Sequence, residues 1–71
     1  MHRYLIIIES TATGYSAYSP DLPGCVATSA SQPEVARAMR EAIELHLDGL
    51  REAGLPIPTG GTSAAYVEVA A

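Results

Sequence analysis

Apolar and polar positions in this chain alternate with period two over several short stretches and with a period near 3.6 over one long one, which separates strands from a helix. The first run, Tyr4-Leu5-Ile6-Ile7-Ile8, is apolar at odd and even positions alike, as in a strand covered on both faces. It is predicted to be the central strand. A polar turn, Ser10-Thr11-Ala12-Thr13-Gly14, leads to a second strand over Tyr15–Ser19, and a third is predicted over Cys25–Ser29. Between them stands Pro20-Asp21-Leu22-Pro23-Gly24. Both prolines fix φ near −65° and push their predecessors toward extended backbone, while glycine accepts a positive φ, so the connection reads as a stiff corner. Ala17 and Ala27 leave room for a helix to lie close to the sheet.

That helix is predicted over Gln32–Ala53. Ser31 with Glu34 three residues on fits a capping box, Pro33 is tolerated in the first turn, and Gly54 before Leu55-Pro56 is a stop. At 100° per residue, Val35, Ala38, Met39, Ala42, Ile43, His46, Leu50 and Ala53 share one face. Arg37, Arg40, Glu41, Glu44, Asp48, Arg51 and Glu52 share the other. After a flexible connection over Ile57–Ser63, Ala65-Tyr66-Val67-Glu68-Val69 alternates as a closing strand.

A right-handed crossover would place that fourth strand parallel to the first. The expected fold is therefore α+β, a single domain over residues 1–71 with element order β-β-β-α-β, sheet order 3-2-1-4 and the helix on one face. One helix covers one face only, whereas Leu5 and Ile7 lie opposite Tyr4, Ile6 and Ile8. A second copy of the chain is the expected cover, with Leu5 and Ile7 as candidate oligomer-interface residues.

Composition narrows the function. At 71 residues and 48% hydrophobic the chain should fold, but its small core makes it marginal alone. No apolar run approaches a membrane span, Met1-His2-Arg3 does not open a secretory leader, and one cysteine allows no internal disulfide. A cytoplasmic location is expected. A formal charge of −4, with no lysine and four arginines, argues against direct nucleic-acid binding and suits a basic protein partner. No membrane association is expected.

No group has a credible catalytic partner. His46 falls on the apolar stripe and reads as a packed or interface histidine. Cys25 has no base or electropositive neighbour in sequence and reads as a small buried hydrophobe. The carboxylates are scattered, and Glu41, Glu44, Asp48 and Glu52 belong to a solvated helix face. Asp21 is expected to cap its own turn. Catalytic residues, metal ligands and cofactors are therefore expected to be none.

The Gly14-Tyr15 strand start, the Ser19-to-Cys25 corner, Ser31 with Glu34, Glu41-Ala42-Ile43 and the Pro56-Ile57-Pro58 exit together resemble the HicB-like antitoxins, from Tyr4 to Pro58. The resemblance implies a partial RNase H-like fold without nuclease activity. It also implies binding and silencing of a HicA-type toxin, a small basic protein that cleaves mRNA. Many members of that family continue into a DNA-binding module, whereas this sequence stops at Ala71, so operator binding is not expected. Tyr15, Tyr18, Asp21 and Leu22, flanking or forming the stiff corner, are the candidate toxin-contact residues, since rigid aromatics beside acidic groups suit such an interface. The alternative function is an oligomeric adaptor for another protein or ligand on a degenerate, non-catalytic RNase H-like fold.

Overall fold

Ser31 begins the helix as its sequence dictates. Its backbone is extended (φ −138°, ψ 160°), and its hydroxyl oxygen accepts the Glu34 N–H at 3.3 Å. From there α1 runs Gln32–Glu52, with Ala53 as its C-cap. The Leu55 N–H donates back to the Leu50 carbonyl at 2.9 Å, satisfying part of the helix end. In the computed structural model, which describes residues 2–71, three strands precede α1: β1 (Ile7–Ser10), β2 (Tyr15–Tyr18) and β3 (Val26–Ser29). Both pairings are antiparallel and the order is β1-β2-β3. Ile7 faces Tyr18, which faces Val26, and Ile8 faces Ala17, which faces Ala27.

The helix lies on the face carrying Ala17 and Ala27. Val35 and Met39, both at 0% exposure, enter the core there with Leu22, Cys25 and Leu47. Tyr4, Ile6, Ile8, Tyr15, Ile43 and Leu50 pack around them. Two details differ from the sequence pattern. Leu47 is buried although it sits on the flank of the apolar stripe, and Ala53 is exposed at the helix end, where the stripe has passed the sheet.

The fold is thus α+β in one small domain of three antiparallel strands and a helix. The expected fourth strand is corrected: residues 65–69 form no ladder and are all exposed. β1 is consequently an edge strand and not the central one. The tail is nevertheless held beside the residues that lead into β1. Pro58 accepts the Tyr4 hydroxyl at 2.6 Å, and Gly60 lies against the Arg3 carbonyl so closely that a Cβ there would collide with it. Residues 60–64 then lie across from 3–6, and residues 64–66 across from 5–8. Instead of backbone hydrogen bonds, grooves of about 640 and 470 Å³ separate the two segments.

Candidate protein-binding surface

The alternation of β1 sorts the chain's apolar groups into two populations. Tyr4, Ile6 and Ile8 pack on the helix-side core, and His2 stacks on Tyr4 with ring centroids 6.1 Å apart. Even positions therefore face the helix back to the N-terminal end. Odd positions take the other face, so Leu5 and Ile7 lie where the sequence expected them, half-buried on the sheet side that α1 leaves open. The register carries that row across the sheet: Ile7, Tyr18 and Val26 stand side by side, with Tyr18 43% and Val26 65% exposed. Glu9, Ser16 and Thr28 form the next row, so the open face is apolar at one end and polar at the other.

The corner between β2 and β3 is built from nested turns. The Leu22 N–H donates to the Ser19 carbonyl at 3.2 Å, and the Cys25 N–H to the Leu22 carbonyl at 3.1 Å. The Ser19 N–H donates to the Cys25 carbonyl at 3.3 Å, closing the loop. Gly24, at φ +83°, supplies the left-handed residue the sequence called for. Ser19 is buried, and its hydroxyl donates to the Leu5 carbonyl at 3.0 Å, tying the corner to the residues that lead into β1.

The structure does not bring the four candidate contact residues onto one surface. Tyr15 and Tyr18, three positions apart on a strand, point to opposite faces, and Tyr15 packs on the core. Leu22 is corrected outright: at 0% exposure it fills the core beneath the corner, because the nested turns direct it inward. Asp21 does not cap its own turn. Its carboxylate accepts the Thr62 hydroxyl at 2.7 Å and the Thr62 N–H at 3.3 Å, latching the tail to the corner. No local pattern could have found that tie across 41 residues.

Cys25 is buried as expected, and burial pushes its thiol above the ordinary cysteine range. The folded thiol thus holds its proton at pH values where the unfolded one releases it. Its contribution to stability is complete below the ordinary thiol pKa and is lost as pH rises through the folded value. Iodoacetamide labelling at mildly alkaline pH should be many-fold slower for native protein than in urea; equal rates would show an accessible thiolate.

His46 is half-buried on the helix. The helix carboxylates are solvated, with Arg40–Glu44 at 3.4 Å and Arg51–Asp48 at 3.1 Å as exposed pairs of small energetic weight. Among the described residues no three His, Cys, Asp or Glu side chains converge on a metal-sized site, and no helix is long and apolar enough to cross a membrane.

A helix thus covers one face of a small antiparallel sheet, and an apolar row lies open on the other. The family model described as HicB-like antitoxin of bacterial toxin-antitoxin system matches residues 4–70, and the chain belongs to that family. It is 46% identical over 44 residues to a "UPF0150 protein" of Helicobacter pylori, covering 62% of this chain and 61% of that protein. Over 64 residues it is 31% identical to an uncharacterized 14.9 kDa protein from the rep-hol intergenic region of Haemophilus phage HP1, covering 90% of this chain and 48% of the phage protein. The chain therefore spans only about half to three fifths of the length of these curated relatives. Among solved structures it is similar to a chain of a HicA3 and HicB3 toxin-antitoxin complex, with a TM-score of 0.71 and 28% identity over 84% of this chain and 70% of that one.

Proposed function

We propose that this protein acts as an antitoxin by binding a HicA-type toxin, without turnover, in the cytoplasm. The observation that carries the reading is the likeness to a chain of the HicA3 and HicB3 complex, added to family membership. Charge supports it: a chain of net charge −4 meets a basic partner faster and with fewer wrong pairings. The proposed contact centres on the proline-flanked corner. There Pro20 and Pro23 are exposed, the backbone is locked by three internal hydrogen bonds, and the Asp21 carboxylate stands at the surface. A preordered loop loses little entropy on docking.

Binding to the cognate toxin, measured with purified proteins and by rescue of growth, tests this. Asp21→Arg is expected to weaken binding about tenfold or more, since it replaces attraction to a basic surface by repulsion. Thr62→Val removes the hydroxyl bond of the same latch, leaving the backbone N–H bond, without changing charge and is expected to retain binding. Equal losses in both would mean the latch matters and the charge does not. Loss on Tyr18→Ala alone, with association state unchanged, would move the contact to the open sheet face. No binding to any HicA-type toxin would sink the reading.

A further inference from the structure

The open face of the sheet carries a pattern that is complementary to itself. Along β1 and the residues leading into it, the odd positions read Arg3, Leu5, Ile7, Glu9: a cation, two apolar groups and an anion. Tyr4, Ile6 and Ile8 pack on the helix-side core and His2 stacks on Tyr4, so alternation continued through the residues leading into β1 sets Arg3 and Glu9 at the two ends of the open row. Both are exposed, and among the described residues neither has an ion-pair partner. Beside Ile7 stand Tyr18 and Val26, the latter 65% exposed between the buried Cys25 and the half-buried Ala27.

We infer that this face docks on the same face of a second copy of the chain, about a two-fold axis that crosses β1 at the level of Ile6. Such an axis, lying between the sheets and perpendicular to the strands, sets the two β1 strands antiparallel over one another. Arg3 of each copy then meets Glu9 of the other, and Leu5 meets Ile7. The two-fold operation requires a self-complementary patch, and the row satisfies that requirement at all four positions. An unrelated partner would need none of this symmetry. Tyr18 and Val26 complete the apolar centre, and the two ion pairs form its rim. Edge-to-edge pairing of the β1 strands is less favoured, because residues 60–66 run alongside that edge.

The size of the face sets the strength. With β2 and β3 four residues long and seven positions along β1 and its lead-in, a strand spacing of about 4.8 Å and a rise of about 3.3 Å per residue give roughly 240 Å² per copy. Stable interfaces bury about 800 Å² on each side, so the association expected is weak and concentration-dependent. The inference is independent of toxin binding, whose proposed contact lies at the corner.

Sedimentation of the intact chain at tens of micromolar should show a concentration-dependent dimer. Glu9→Arg and Arg3→Glu should each weaken it about tenfold, because two attractive pairs become two repulsive ones. The doubly swapped chain should recover wild-type association. An equimolar mixture of the two single variants should also recover, as a heterodimer, since each copy then offers the opposite charge at both contacts. Far-UV circular dichroism checks folding. If either swap fails to fold, Val26→Asp at an exposed position replaces it, with the same expected loss. A wild-type monomer at those concentrations overturns the inference, as does a dimer indifferent to every swap. A dimer lost instead on changing Tyr66, Val67 and Val69 to serine, and insensitive to charge, would place the contact on the tail and overturn it equally.

Discussion

Leu22→Ala is expected to destabilise the protein by about 3 kcal/mol, the middle of the range for emptying a fully buried leucine site. A domain of 71 residues has a total stability of only roughly 4 to 10 kcal/mol. The variant should therefore lose a large share of its stability and melt many degrees lower. The site offers little relief by collapse, because nested turns hold the Leu22 backbone and Val35 and Met39 fill the opposite wall. Leu22→Met, which nearly conserves volume, should cost under about 1.5 kcal/mol. Urea titration separates the two outcomes. A Leu22→Ala protein as stable as wild type would mean that the corner does not anchor the core.

Gly14→Ala is the second large effect. A Cβ at Gly14 would run into the Ser29 carbonyl oxygen and sit 3.1 Å from the Ala30 Cα, both of them backbone atoms that cannot rotate away. The turn entering β2 would have to shift against the end of β3, at a cost of about 2 kcal/mol. Gly49→Ala is the contrasting case. It lies inside α1 with nothing within 4 Å of its absent Cβ, so the same substitution should stabilise by about 1 kcal/mol through helix propensity. Thermal melts of the two variants should move in opposite directions. A Gly14→Ala melt at or above the wild-type temperature would show that the turn can yield.

The elements most legible in the sequence are those specified by neighbours a few residues apart. Ser31 and Glu34 fixed the helix start to the residue, and the Pro-Asp-Leu-Pro-Gly corner was recognisable as a corner from its dihedral constraints alone. The split of β1 into helix-facing and open-facing residues followed from a period of two and is borne out by the packing of Tyr4, Ile6 and Ile8. What the pattern could not supply was anything decided by distant parts of the chain. Alternation over residues 65–69 signals strand propensity, but a strand exists only where a partner edge accepts its hydrogen bonds. Leu22 looked like a surface residue because it lies in a turn. Only the closure of that turn over the helix shows that it faces inward. Asp21 looked like a local cap, since carboxylates at turns usually serve their own backbone, and its actual partner arrives 41 residues later.

The tail beside β1 also bears on what this protein must avoid. An unpaired strand edge is a template on which foreign strands, or unfolded copies of the same chain, can add and propagate into aggregates. β3, the other edge, has small and polar residues in Ala27, Thr28 and Ser29, a poor template. β1 continues an almost wholly aliphatic run and is the more dangerous of the two. Residues 58–66, pinned by the Tyr4 hydroxyl, the Arg3 backbone and the Asp21 carboxylate, stand guard along it without joining it. A segment that contributes almost nothing to the core thereby stands in the path of a strand adding at the residue 4–8 end of this edge.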